Sequence, residues 1–98
     1  MNINMQKNDA ALTVGLEGRL DTTTAPELEQ ALKESLDSAT ALTLDFSALD
    51  YISSAGLRVL LSAHKTMRTK GGMKVVNVNE IVKEVFDVTG FADILDIE

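Results

Sequence analysis

The chain has 98 residues, of which 45% are hydrophobic, and its 15 Asp and Glu against nine Lys and Arg give a net charge of −6. This length fits one domain with its own core, and this charge disfavours nucleic acid as a partner because the phosphates would be repelled. The sequence contains no cysteine, which excludes disulfides, thiolate metal sites and cysteine nucleophiles and agrees with a reducing cytoplasm.

The first 20 residues predict a β-hairpin. Leu12, Val14 and Leu16 alternate with small or polar residues, which is the period of a strand with one buried face. Ile3 and Met5 predict a partner strand before it, and the pair at positions 8 and 9 (Asn-Asp) favours a turn between the two. The start has no basic region followed by an apolar run, and no stretch reaches the roughly 20 apolar residues of a membrane span, so we expect neither export nor a membrane partner.

A helix, a strand and a second helix are predicted next. Thr24 and Glu27 form a capping-box pattern before an apolar helical face. Alternation over residues 41 to 46 predicts a strand that ends at Phe46, and we expect an eight-residue loop after it. The second helix is predicted from Ser54 to Lys70, with its apolar stripe made by these residues: Leu57, Leu60, Leu61, Ala63, His64 and Met67.

The last quarter predicts a strand around Val75, a helix capped by Asn79 and ended by Gly90, and a short strand at 94–97. Strands that alternate with helices favour parallel pairing through right-handed crossovers. We therefore expect one α/β domain over residues 1–98, with a mixed sheet of four or five strands and three or four helices. The periodicity leaves open whether the helices cover one face of the sheet or both.

Two serines and a glycine stand where the second helix begins. The first turn of a helix has N–H groups without partners and the positive end of the dipole, so Ser53 or Ser54 can cap the helix and can also carry a phosphate. Capping is the ordinary role of such a serine. Gly56 costs about 1 kcal/mol relative to alanine, which indicates either close approach of another group or tight packing on the sheet.

Four segments of the chain resemble the STAS domain family, and within it the stand-alone anti-sigma-factor antagonists of bacteria. They are EGRLD ending at position 21, LDFS at 44–47, YISSAGLRVL at 51–60 and KGGMKVVNV at 70–78. The resemblance covers nearly the whole chain and implies a STAS fold. By position it implies that Ser54 is the phosphoacceptor and that Gly56 and Asp21 belong to the site. Arg58 is either an ordinary solvated charge or, because it stands beside Ser54, a partner contact. The predicted partner-binding set is Asp21, Ser53, Ser54, Gly56, Leu57 and Arg58.

The resemblance also implies a mechanism. The unmodified form would bind a serine-kinase anti-sigma factor and free the sigma factor, the kinase would then phosphorylate the acceptor, and a metal-dependent serine phosphatase would reverse the modification. It implies no catalytic residue, no cofactor and no metal, and we expect a cytoplasmic monomer. A dianion in a desolvated interface is costly to dehydrate and is repelled by the nucleotide phosphates of a kinase, so one modification can abolish docking.

The chain departs from the common family pattern at two positions. Ser53 stands where an aspartate often precedes the acceptor, and Ala55 stands where a second hydroxyl residue often follows. Ser53 is therefore a rival acceptor, whereas the alanine removes a third candidate.

Two other functions fit the same residues. The chain could be a constitutive STAS subunit, for example of a lipid-transport ABC complex, with the serine acting only as a cap. It could also be a small hydrolase that uses Asp21 and Ser54, although no histidine is suitably placed to activate the serine. We expect Asp45 to form a turn and His64 to lie at the edge of the core.

Overall fold

In the computed structural model, which describes residues Met1 to Glu98, five strands lie side by side in the order of the sequence. They are β1 (Asn2–Asn8), β2 (Ala11–Leu20), β3 (Ala41–Ile52), β4 (Met73–Val76) and β5 (Asp96–Ile97). β1 and β2 form an antiparallel hairpin, and every other neighbouring pair is parallel. The predicted hairpin and mixed sheet are confirmed.

Three α-helices connect the parallel strands. They are α1 (Ala25–Ser35), α2 (Ser54–Met67) and α3 (Glu80–Thr89), and short 3-10 helices follow α1 and α3. The side chain of Asn79 accepts the N–H of Val82 at 2.8 Å, and Gly90 ends α3 with a φ of 82°, as the sequence predicts. The helix α2 ends three residues earlier than predicted because the N–H groups of Lys70 and Gly72 turn back to the carbonyl of Met67.

All three helices pack on one face of the sheet. Inward-facing side chains of the three central strands are buried, and the residues between them, such as Thr13, Glu17 and Lys74, are exposed. The buried set on this face is Leu12, Val14, Leu16, Leu42, Leu44, Phe46, Met73 and Val75. The ring of Phe46 stacks on that of Phe86 in α3, with 6.3 Å between the centroids. This answers the question that periodicity leaves open, because the opposite face of the sheet carries no helix.

The helix α1 does not begin with the predicted capping box. The side chain of Thr24 makes no bond to the first turn; its hydroxyl donates to the carbonyl of Arg19 at 2.8 Å and accepts the N–H of Asp21 at 2.8 Å. The carboxylate of Asp21 accepts the N–H groups of Thr23 and Thr24 instead, at 3.0 and 3.2 Å. Asp21 therefore starts the turn that leads into α1, three residues before the predicted cap.

The strand β3 continues six residues beyond its predicted end at Phe46. Its pairing with β2 shifts register twice, between Gly15 and Glu17 and between Gly18 and Arg19. Such bulges break the two-residue period from which a strand is predicted. The predicted eight-residue loop is therefore wrong, and the chain passes from Ile52 through a single residue into α2.

No helix in the structure combines the length and the apolar character needed to cross a bilayer.

Candidate functional site

The ends of β2 and β3 bring the predicted site segments together. Leu20 pairs with Ile52, and the N–H of Ser53 donates to the carbonyl of Leu20 at 2.9 Å. Asp21 follows the first of these strand ends and Ser53 follows the second. The serine pair and Asp21 therefore lie at one edge of the sheet, at the carboxyl ends of parallel strands, where α/β folds commonly place their binding sites.

The two serines have different surroundings. Ser53 is the cap of α2: its backbone is extended, and its hydroxyl oxygen accepts the N–H of Gly56 at 3.4 Å. Ser54 is the first residue of the helix, is exposed, and makes no side-chain hydrogen bond. The hydroxyl of Ser53 thus holds the helix end, whereas that of Ser54 faces solvent at the positive end of the helix dipole.

Gly56 allows α2 to lie directly on the sheet. A β-carbon at this position would come within 2.7 Å of Cγ of Leu20 and 2.9 Å of Cγ1 of Ile52. Of the two explanations that the sequence leaves open, tight packing is the one confirmed. Leu57 beside it is only 5% exposed. As partner contacts, Gly56 and Leu57 stay predictions; in the structure they hold the first turn of α2 in place.

The Asp21 carboxylate is bonded to the turn before α1 and makes no hydrogen bond to the serines. The Thr23 hydroxyl donates to its carboxylate at 2.7 Å, and this bond, helped by the N–H groups of Thr23 and Thr24, holds the pKa of Asp21 below its usual value. The Arg19 guanidinium lies 3.8 Å from its other oxygen. Asp21 is therefore a carboxylate that holds the turn before α1, and its predicted role in partner binding stays a prediction.

Two arginines belong to the segments that carry the site, and the sequence pattern predicts a role only for Arg58. Arg58 is exposed, one helical turn after Ser54, so the two side chains lie on the same side of α2. The guanidinium of Arg19 lies over the ring of Tyr51, its register partner on β3, at 4.6 Å from the ring centroid. Only knowledge that β3 reaches Ile52 could have predicted this pair. Arg19 is paired with the carboxylate of Asp21, so Arg58 is the cation beside Ser54 that has no salt-bridge partner.

A shallow groove opens beside the serines, between the start of α1 and the first turns of α2. Its lining includes Pro26, Ala55 and Arg58. Ala55 of this lining follows Ser54 directly in the chain, so a partner that contacts the serine can also reach Arg58.

The arrangement does not give Ser54 the neighbours of a catalytic nucleophile. His64 lies ten residues further along α2, about 15 Å away by helix rise, and is half-buried. Asp45 and Asp21 lie about 20 Å apart along the sheet, because Gly15, the register partner of Asp45 on β2, precedes Asp21 by six residues. No cluster of three or more His, Asp or Glu side chains could hold a metal ion.

Asp45 does not form the predicted turn, because it lies within β3 and pairs with Gly15 and Val76. Its carboxylate accepts the side-chain amide of Asn77 and the N–H of Ser47, each at 3.0 Å. The bond from Asn77 is the main reason that the pKa of Asp45 is lower than usual, and the bond from Ser47 adds to it.

Comparison with known proteins agrees with this fold. A family model described as STAS domain matches residues 2–98. The anti-sigma-B factor antagonist of Bacillus subtilis is 30% identical over 98 residues, which cover 99% of this chain and 90% of that protein.

Two solved structures are similar over nearly the whole chain. The crystal structure of an anti-sigma factor antagonist from Mycobacterium paratuberculosis has a TM-score of 0.88 and 28% identity, covering 98% of this chain and 83% of that one. The structure of the Bacillus cell fate determinant SpoIIAA in its phosphorylated form has a TM-score of 0.76 and 15% identity, covering 99% and 91%. At that identity the second likeness concerns the fold alone.

Proposed function

We propose that this chain, which belongs to the STAS domain family, is an anti-sigma-factor antagonist whose docking surface is switched off by phosphorylation of Ser54. Relatives over the whole chain carry the name of anti-sigma factor antagonists, and SpoIIAA has been solved in a phosphorylated form. The observation that carries the proposal is that Ser54 is exposed at the first position of α2 while Ser53 does the capping.

The fold tolerates a phosphate at this position. Phosphorylation would add about −1.5 to −2 charge at the positive end of the helix dipole, which stabilises anions. Arg58 is four residues further on, at the spacing that lets a cation pair with an anion on a helix surface. Since Ser54 makes no side-chain bond, its modification breaks none. Phosphorylation therefore changes the surface and leaves the domain folded.

The same phosphate opposes docking. The partner that we propose is a serine-kinase anti-sigma factor, whose own nucleotide phosphates approach Ser54 during transfer. In the unmodified chain, Ser54 carries no charge, and the charged residues of the groove beside it are Glu29 and Arg58, one of each sign. A dianion on Ser54 would be repelled and would lose its hydration, so the complex would dissociate. A metal-dependent serine phosphatase would restore binding.

Ser54 is the better acceptor of the two serines. The hydroxyl of Ser53 holds the N–H of Gly56, and a kinase would have to break this bond to reach it. The hydroxyl of Ser54 needs no such rearrangement. In this scheme the chain receives a phosphate and performs no catalysis, and it acts in the cytoplasm with the kinase.

The experiment uses the serine kinase encoded in the same genome, with ATP and Mg²⁺. Mass spectrometry should find one phosphate on the wild type and on Ser53→Ala, and none on Ser54→Ala. Calorimetry should give Ser54→Ala the affinity of the wild type within about twofold and Ser54→Asp an affinity at least about tenfold weaker, about 1.4 kcal/mol.

Ser38→Asp is the control for a negative charge added far from the site, since Ser38 is an exposed serine after α1 at the other end of the sheet, where its hydroxyl bonds Lys7 and the carbonyl of Ser35. It should bind like the wild type. Equal affinity of Ser54→Ala and Ser54→Asp, or phosphate on Ser53, would refute the proposal. Stable binding with no phosphate on either serine would favour a constitutive subunit instead.

A further inference from the structure

The C-terminal fifth of the chain holds most of its net charge. Residues 80–98 contain six carboxylates and one lysine, a net charge of −5, whereas the preceding 79 residues contain nine carboxylates and eight cations, a net charge of −1. The acidic set is Glu80, Glu84, Asp87, Asp93, Asp96 and Glu98. The rest of the domain is thus almost neutral, and α3 with the segment after it forms an acidic end.

The same segment holds most of the exposed large apolar side chains. Ile81 is 61% exposed, Val88 is 76% exposed and Ile94 is 47% exposed, and the remaining example is Met5 on β1 at 37%. Single exposed apolar residues are normal on a protein surface, but a grouped set marks a binding surface. The grouping here occurs where negative charge is densest.

Two of these residues, Ile81 and Val88, form a line along α3 with the half-buried Val85 between them. Ile81, Val85 and Val88 stand at positions i, i+4 and i+7, which share one side of a helix. The core-facing side is marked by Val82 and Phe86, which are fully buried. We call Ile81, Val85 and Val88 the α3 stripe. It lies beside the buried side of the helix, is half-buried only at Val85, and is bordered by Glu84.

We propose that the α3 stripe is a docking surface for an amphipathic helix of a partner protein, with apolar residues at matching spacing and Lys or Arg beside them. A partner helix that packs against the α3 stripe needs apolar residues at the same spacing as the stripe. The carboxylates around the stripe favour a partner helix with Lys or Arg beside those apolar residues. The surface is separate from the groove beside Ser54, whose lining includes no residue of the stripe.

Charge decides between this occupant and two others. A second copy docked stripe to stripe would bring together two segments of charge −5 each. An anionic membrane surface would be repelled by the same carboxylates. A basic helix alone satisfies both the apolar line and its acidic border.

The test uses as probe a fluorescein-labelled helical peptide of about 18 residues, five turns long, with Leu on one face and Lys elsewhere. Fluorescence anisotropy should show saturable binding to the wild type. A matched peptide with Glu in place of Lys should not bind. Binding of the Leu/Lys peptide should weaken on the order of threefold or more between low and physiological salt, since exposed charges are screened.

Ile81→Gln/Val88→Gln should weaken binding at least about tenfold, and Gln is a good helix former, so α3 should remain intact. Met5→Gln removes the one large exposed apolar side chain outside this segment and should leave binding unchanged within about twofold. Glu84→Gln/Asp87→Asn should weaken binding and reduce its salt dependence. If circular dichroism shows that the double Gln variant has lost helix, the single Val88→Gln variant takes its place.

Three outcomes would overturn the proposal. One is the absence of saturable binding of the Leu/Lys peptide. Another is equal binding by wild type and Ile81→Gln/Val88→Gln. The third is a concentration-dependent dimer in analytical ultracentrifugation that the same double variant abolishes, since this would make a second copy the occupant.

Discussion

Gly56 leaves no room for a side chain against Leu20. A β-carbon at Gly56 would lie 2.7 Å from Cγ of Leu20 and 2.9 Å from Cγ1 of Ile52, well inside the usual contact distance of about 3.5 to 4.0 Å between carbon atoms. Both neighbours are fully buried at the ends of β2 and β3. The first turn of α2, which carries Ser54, is therefore seated on the sheet by the absence of a methyl group.

Gly56→Ala should destabilise the domain although alanine is the better helix former. The gain in helix propensity is about 1 kcal/mol, whereas overpacking a core typically costs about 1 to 3 kcal/mol. Because two buried side chains must move at once, we expect the free energy of unfolding to fall by about 1 to 2 kcal/mol. Urea denaturation followed by circular dichroism measures it. A variant as stable as the wild type would contradict this account of the packing.

A double-mutant cycle with Leu20→Ala isolates the contact. Leu20→Ala alone should cost about 2 to 5 kcal/mol because it opens a cavity. It also removes the Cγ and Cδ2 atoms that a β-carbon at Gly56 would meet. In this background Gly56→Ala should cost at least about 0.5 kcal/mol less than in the wild type. Strict additivity would mean that the strain lies elsewhere.

Ser53→Ala should destabilise the domain more than Ser54→Ala. Ser53→Ala removes the hydroxyl that accepts the N–H of Gly56, and losing such a cap costs about 1 kcal/mol. Ser54→Ala removes an exposed hydroxyl without a bond, so the change should stay within about 0.5 kcal/mol. Thermal unfolding of the two variants gives the comparison. If Ser54→Ala is the more destabilised, the assignment of the cap is wrong.

The fold was predictable from the sequence wherever a sequence pattern is compatible with only one kind of local structure. Alternation through Leu12 and Leu44 identified two central strands, and Asn79 and Gly90 marked both ends of α3. The continuation of β3 was hidden because its bulges place the buried Leu49 three residues from the next buried position. A two-residue period cannot detect a strand across such a break.

The site was predictable only to within a few residues. Either serine satisfies the sequence pattern of a cap, and the choice depends on where β3 ends, which periodicity did not detect. In the same way, Thr24 has the pattern of a capping box, yet its hydroxyl bonds Arg19 and Asp21, and the Asp21 carboxylate accepts the N–H groups of Thr23 and Thr24 just before the helix. The backbone geometry determines which of the two residues in each pair makes the hydrogen bond, and the local sequence does not encode that geometry.

Asp45 should make stability depend on pH in the acid range. The bond from the Asn77 amide, and after it the bond from the N–H of Ser47, hold its folded-state pKa below the usual range of an aspartate. A lowered pKa means that the stabilisation is fully present above the unfolded-state value of about 3.9 and is lost as pH falls through the folded-state value. Asp45→Asn should therefore be less stable at pH 7, by about 1 kcal/mol, and the difference from the wild type should shrink toward about pH 2.

Denaturation with urea at a series of pH values measures the effect of this substitution. Asp50→Asn is the matched control, because Asp50 is an exposed aspartate on the same strand that makes no hydrogen bond. It should follow the wild type at every pH. A constant difference between wild type and Asp45→Asn across the acid range would show that the carboxylate charge does not contribute.

Arg58 should contribute to binding and little to folding. Its side chain is exposed, lines the groove beside Ser54 and has no salt-bridge partner in the structure, so the domain loses no ion pair when it is removed. Arginine is enriched among the few residues that dominate protein interfaces, and truncating such a residue costs more than about 1 kcal/mol. We expect Arg58→Ala to weaken binding of the proposed kinase partner by about tenfold, with an unfolding free energy within about 0.5 kcal/mol of the wild type.

Arg68→Ala is the matched control, since Arg68 is an exposed arginine at the far end of α2. Calorimetry should find its affinity unchanged. If both variants lose affinity equally, the chain's overall charge is responsible, and Arg58 is not part of the docking surface.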